Sequence, residues 1–121
     1  MLAAAERHTD TVEVLLGAGA DPNAANALGR TALMFASSYG QDTIVKLLLD
    51  RGAKPNIVPN DHSSWTALMA AAARGHANTV ALLLQNGADP NIKSKDGRTA
   101  IELARAEGHS EVVRKFSAIG N

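Results

Sequence analysis

The sequence predicts an all-α fold, a solenoid of stacked helix-turn-helix units joined by β-hairpin-like loops. Three observations predict it. First, a unit of two short apolar helices on either side of a glycine recurs along the chain and is most complete at residues 66–91. Second, the units close on one kind of turn: Gly19-Ala20-Asp21-Pro22-Asn23, Gly52-Ala53-Lys54-Pro55-Asn56 and Gly87-Ala88-Asp89-Pro90-Asn91. Third, the register is regular. Asn23, Asn56 and Asn91 are 33 and 35 residues apart, Val12, Val45, Val80 and Val113 step by 33, 35 and 33, and His8, Gln41, His76 and His109 keep the same steps. Such a period marks an array in which each unit is one supersecondary element and stacking builds the core.

The first unit, about 1–25, is trimmed. Met1 aligns with Met69, so the unit begins inside a short Ala-rich helix, continues through a second helix to Leu16 and reaches Gly17-Ala18-Gly19. Gly19, Gly52 and Gly87 suit the residue just past a helix end, where a left-handed backbone is cheap for glycine. The proline of each turn cannot continue the helix.

In the second unit, 26–58, Thr31 is expected to cap a helix running through Ser38. Gly40 stops that helix and lets the chain reverse. The next helix, about Asp42–Asp50, carries Ile44, Val45, Leu47, Leu48 and Leu49 on most of its circumference, as a helix sandwiched between neighbours requires. Leu48 and Leu83 fall at matching core positions.

The third unit, 61–93, is entered by a loop two residues longer than its counterparts, and Ser64 stands where Gly29 and Gly97 stand. Two readings are open. One is a tolerated insertion, since doubling a loop costs only about 0.6 kcal/mol. The other is a reshaped binding finger, since repeat insertions map to loops often found on the binding face.

The last unit, 94–121, reads as a cap. Lys115 and Ser117 replace Leu82 and Leu84, while Phe116 keeps the central apolar position. A terminal unit needs a polar outer face. Thr99 and Glu102 have the spacing of a capping box. The first unit shows no such polar cap, so its outer side is expected to be covered or to continue a longer array.

Many fixed offsets recur together: a 33-residue step, helix, glycine, helix, and a Gly-Ala-Asp-x-Asn turn. The pattern resembles the ankyrin repeat over nearly the whole chain, read as one domain, 1–121. The chain departs from the family's Thr-Pro-Leu-His helix start, having Thr31-Ala32-Leu33-Met34, Thr66-Ala67-Leu68-Met69 and Thr99-Ala100-Ile101-Glu102. The resemblance implies that the histidine before each second helix bonds locally. It also implies that Met34 and Met69 do not reproduce the polar link made by the family's first-helix histidine. Asn23, Asn56 and Asn91 resemble the turn asparagines hydroxylated in some ankyrin proteins.

Composition excludes several functions. Twelve basic and twelve acidic residues leave a formal net charge of zero, against the strong positive field a nucleic-acid binder needs. No cysteine is present, so disulfides and thiolate metal sites are absent. No His-x-x-x-His pair exists and His62 has only Asp61 beside it, so no metal is expected. Gly17-Ala18-Gly19 follows a helix rather than a strand and lacks the Gly-Lys-Ser/Thr of a phosphate loop. The longest apolar run is far short of the roughly 20 residues of a membrane span, and no basic segment precedes an apolar stretch as in a secretory signal. The expectation is a non-enzymatic, intracellular, cytoplasmic chain with no cofactor, nucleic acid or membrane partner.

Function then becomes a question of surface. In the family's arrangement, hairpin tips and first-helix ends form one concave face. Leu28, Arg30, Tyr39, His62, Trp65, Arg74, Lys95 and Arg98 fall on it and are the expected contacts to a partner protein. Trp65 and Tyr39, the only residues of their types, are predicted neighbours, and Trp, Tyr and Arg are the types enriched at binding hot spots. A fitting partner offers an apolar side chain to Trp65 and Tyr39 and acidic groups to some of Arg30, Arg74, Lys95 and Arg98. A purely structural role, in which Trp65 packs on the adjacent finger, stays open. The alternative function is a structural scaffold or a piece of a longer array, a monomer under the first reading but self-associating through the Leu2, Val12 and Leu16 side under the second.

Overall fold

The computed structural model describes residues 13–119. Helical segments are α1 (13–17), α2 (Ala32–Ser38), α3 (Asp42–Asp50), α4 (Ala67–Ala73), α5 (Ala77–Gln85), α6 (Ala100–Ala106) and α7 (Ser110–Ile119). From α2 onward they form three antiparallel pairs. The first helices stack in the order α2, α4, α6, and the second helices in the order α3, α5, α7. Among the described residues there is no strand, only an isolated antiparallel bridge between Ala25 and Thr31. The all-helical solenoid expected from the sequence is therefore the fold. Met1, Leu2, His8 and Val12, assigned above to the first unit, lie outside the described residues.

Seven-residue helices are too short to hold alone, and caps and burial supply what length does not. The Thr31 hydroxyl accepts from the Met34 amide at 3.4 Å and the Thr66 hydroxyl from the Met69 amide at 3.3 Å. At α6 the Thr99 amide donates to Glu102 Oε1 at 3.1 Å, which completes the expected capping box. Met34 replaces part of the polar link assumed lost, because its sulfur accepts from the Thr31 amide at 3.4 Å. The stacked first helices meet through small side chains, with Ala36, Ala71, Ala72 and Ala104 buried. Between the two layers lie Leu33, Leu68, Val45, Val80, Leu48 and Leu83, all buried. Phe116 of α7 is buried at the register position of those leucines. Gly19, Gly52 and Gly87 have φ of +94°, +95° and +91°, as their helix-end position demands.

Two sets of polar clasps join one unit to the next. Asn23 Nδ2 donates to the Gly52 carbonyl at 3.0 Å, and its Oδ1 accepts from the Lys54 amide at 2.6 Å. Asn56 repeats this against Gly87 at 3.0 Å and Asp89 at 2.7 Å. The histidines do not bond locally as the resemblance implied. His76 Nε2 donates to the Ser38 carbonyl and His109 Nε2 to the Ala73 carbonyl, each at 3.0 Å and each in the preceding unit. Each ring sits on a glycine at a helix end. A Cβ on Gly40 or Gly75 would lie 2.7 Å from the Nδ1 of His76 or His109, and both glycines have positive φ, +66° and +80°. On the outer layer the Thr79 hydroxyl donates to the Asp42 carboxylate, tying α5 to α3.

Each hairpin finger is organised by one polar side chain at its base. Asn26 Oδ1 accepts from the amides of Leu28 and Arg30, each at 3.0 Å. Ser94 Oγ accepts from the Arg98 amide at 3.2 Å. Asp61 fills the equivalent place in the third unit and accepts from the Ser63 and Ser64 amides at 3.0 and 2.8 Å. The finger itself thus keeps its length, and the two extra residues fall between Asn56 and Asp61. There Pro59 is buried, and the Asn60 amide donates to the Leu28 carbonyl at 2.7 Å. On the next finger the Lys95 amide donates to the Ser63 carbonyl at 3.0 Å, so neighbouring fingers are hydrogen-bonded to each other.

Candidate partner-binding face

The fingers and the first helices bound two adjoining clefts. The larger, of about 340 Å³, lies between α2, α4 and the finger of the third unit. Arg30, Tyr39, His62, Trp65 and Arg74 all line it, so five of the eight residues singled out in the sequence meet in one place. The second, of about 290 Å³, is lined by Lys95 and Arg98 together with His62 and Trp65. Leu28 is exposed but lines neither cleft.

Local structure sets each side chain. Tyr39 follows α2 as its C-terminal cap, four residues after Phe35, so both project from one face of that helix. Both are exposed, at 63% and 46%. Arg74 caps α4 in the equivalent place, and its guanidinium carbon lies 5.5 Å from the centroid of the Tyr39 ring. That is a cation–π distance, which holds both groups at the mouth of the larger cleft. Trp65 precedes the helix-capping Thr66, and its amide donates to Ser63 Oγ at 3.2 Å. Its indole is half-buried against the core, so it carries a structural role while one part remains on the cleft wall.

Arg30 differs from the expectation. Its Nε donates to Asp61 Oδ2 at 2.8 Å, across two fingers. The Asp61 side chain is only 5% exposed, and its Oδ1 also accepts from the Ser63 hydroxyl at 2.9 Å. Burial pushes the Asp61 carboxyl up, but the Arg30 guanidinium and the hydrogen bonds from Ser64 and Ser63 outweigh it and hold the group well below the ordinary carboxylate range. Arg30 is thus an internal clamp that braces one finger on the next.

The second cleft is lined by three charged side chains, Lys95, Asp96 and Arg98. Arg98 Nε donates to Asp96 Oδ2 at 3.0 Å. The Ser94 hydroxyl, then burial working the other way, then Arg98 set the Asp96 carboxyl, with a net downward shift. Lys95 is exposed and makes no ion pair or ring contact among the described residues.

Phe35 and Asp61 were not singled out as site residues in the sequence. For Phe35 the signal was its register, since it stands where the other units have Ala70 and Leu103. For Asp61 it was its alignment with Asn26 and Ser94. Among the described residues no cluster of His, Asp and Glu could hold a metal ion. No helix among them is long and apolar enough to cross a membrane.

Comparison with known proteins adds two findings. The family model described as "Ankyrin repeats (3 copies)" matches residues 1–59 and 58–118. Among curated proteins, the chain is 45% identical over 53 residues to a putative ankyrin repeat protein of Acanthamoeba polyphaga mimivirus, covering 44% of this chain and 33% of that protein. It is 46% identical over 54 residues to the cyclin-dependent kinase 4 inhibitor B of Rattus norvegicus, covering 45% of this chain and 41% of that one. It is also 46% identical over 57 residues to the mitochondrial disaggregase of Bos taurus, covering 47% of this chain and 8% of that protein. The matched segments thus span well under two thirds of these relatives.

Proposed function

The chain belongs to the ankyrin-repeat family, and we propose that it is a non-catalytic interaction module that binds a partner protein through its fingers and first helices. One observation carries this reading. Trp65, Tyr39 and Arg74 converge on a single cleft, two of them exposed, on a scaffold that hydrogen-bonded fingers hold in place. Rigid aromatic anchors beside an arginine are the usual makings of a hot spot. The cyclin-dependent kinase 4 inhibitor is named for acting on another protein, and it shares the repeat over the aligned segment. We place the module in the cytoplasm, as a monomer, with no cofactor, nucleic acid or membrane as partner. The test is capture from lysate by the immobilised chain and by a Trp65→Ala/Tyr39→Ala variant, with circular dichroism verifying both folds. Proteins retained by the wild-type chain alone are the expected result. Equal retention by both would reject this face as the binding surface.

A second reading rests on α1. Leu15 occupies the register of Leu48 and Leu83, yet it is 54% exposed where they are 2% and 0% exposed. Beside it Val14 is also exposed. In this reading the chain is a scaffold that associates edge to edge through the first unit. Leu16, expected on that edge, instead packs against the core, and Leu2 and Val12 lie outside the described residues. Sedimentation velocity decides between the readings: self-association abolished by Leu15→Glu supports the second, and a monomer at all concentrations rejects it.

A further inference from the structure

We infer that this face reads two features of one peptide segment: an apolar side chain in the Phe35–Tyr39–Trp65 cleft and a carboxylate side chain in the Lys95–Arg98 cleft, with Trp65 as the shared wall. The inference rests on the binding-face reading above and adds what the partner must present there.

The linings differ in kind. Met34, Phe35, Pro59, Trp65 and Ala70 give the larger cleft its apolar floor. Of its charges, Arg30 and Asp61 pair with each other, while Arg74 stacks on the Tyr39 ring and keeps its positive charge. What its floor offers an incoming group is therefore apolar surface, with the Arg74 charge beside it. The second cleft holds two fixed positive charges, Lys95 and Arg98, against one carboxylate, Asp96. Asp96 is taken up by Arg98 and by the Ser94 hydroxyl, which leaves Lys95 with no acidic partner. The surplus positive charge beside the indole calls for a carboxylate supplied by the ligand, and charge complementarity of this kind selects and orients partners.

The step between clefts follows the step between stacked helices, about 8–10 Å. A polyproline II segment returns to the same side every three residues and rises about 9 Å in doing so. The peptide that fits has an apolar residue and an Asp or Glu about three positions apart, in an extended conformation.

The test uses a display library of random unmodified peptides, selected in parallel on the wild-type chain, Lys95→Glu and Trp65→Ala/Tyr39→Ala, each verified as folded by circular dichroism. Affinities of the enriched peptides are then read from the emission of Trp65, the sole tryptophan. The expected result is enrichment of the apolar and acidic pair on wild-type. Lys95→Glu should keep the apolar preference, exchange the acid for Lys or Arg, and weaken the wild-type peptide about fivefold, the scale of one exposed ion pair. Peptides that require Trp65 and Tyr39 but show no acidic preference, or that bind Lys95→Glu unchanged, would overturn the inference and leave the face reading standing. No enrichment at all would overturn the inference alone, and peptides retained equally by the double variant would overturn both.

Discussion

Ser64 has a φ of +54°, the one non-glycine residue with positive φ among the described residues. Its counterparts Gly29 and Gly97 have φ of +76° and +83°. The finger demands a left-handed residue here, and a Cβ in that conformation costs about 1–2 kcal/mol. Glycine recovers this but loses about 0.5–1 kcal/mol more chain entropy on folding. Ser64→Gly should therefore raise stability by about 0.5–1 kcal/mol, seen as a higher urea midpoint, while Ser64→Ala, which keeps the Cβ, should show no gain. Asp61, three residues earlier, makes a different prediction. Its folded-state pKa is depressed, so the stability it contributes is present above the ordinary carboxylate value of about 4 and is lost as pH falls below it. Glu102 is shifted the same way, by hydrogen bonds from the Thr99 amide and hydroxyl. Denaturation at pH 7 and pH 3 should show a smaller loss on acidification for Asp61→Asn than for wild-type. Equal losses would mean that the Arg30 clamp is not formed in solution.

At the scale of the element, the leucines that join the two layers carry the units. Leu48 of α3 and Leu83 of α5 are buried in equivalent places. Leu→Ala at either should cost about 2–5 kcal/mol, loss of the side chain plus the cavity it leaves, and a loss under about 1 kcal/mol at both would contradict the packing register. That register was legible in the sequence, as was α3, expected at Asp42–Asp50 and found there. Short-range rules sufficed, since apolar spacing, a threonine cap and a stop glycine all act within one unit. What the sequence hid lies between units. The histidine rings were assigned local bonds, yet they reach across to Ser38 and Ala73. Arg30 looked like an available cation because its carboxylate partner is 31 positions away on another finger. That Arg30, Tyr39, His62, Trp65 and Arg74 come together at one cleft was readable from aligned positions. Which of its charges remain available was not, because pairing depends on how one finger leans on the next.

For the whole molecule, stability should behave as a sum of units and the contacts between neighbours. The α4–α5 pair is covered on both sides: α2 and α6 flank α4, and α3 and α7 flank α5. Five of the seven residues of α4 are buried, Ala67, Leu68, Met69, Ala71 and Ala72. The histidine clasps also converge on this pair, since His76 reaches back from it to Ser38 and His109 reaches back to its Ala73. The α6–α7 pair has a neighbour on one side among the described residues, and α1 leaves Val14 and Leu15 exposed. Opening α4–α5 therefore breaks two interfaces, whereas opening α6–α7 breaks one. Native-state hydrogen exchange reports such differences as a gradient of protection. The amides of α4 and α5 should exchange slowest, near the rate set by global unfolding, with those of α7 and α1 faster. Leu83→Ala should then lower protection across every unit at once, because it weakens the pair that the others lean on. Phe116→Ala should lower it mainly in α6 and α7. Uniform protection along the chain, or slowest exchange in α1, would show that the array unfolds as one block or is held from its first unit rather than from its middle.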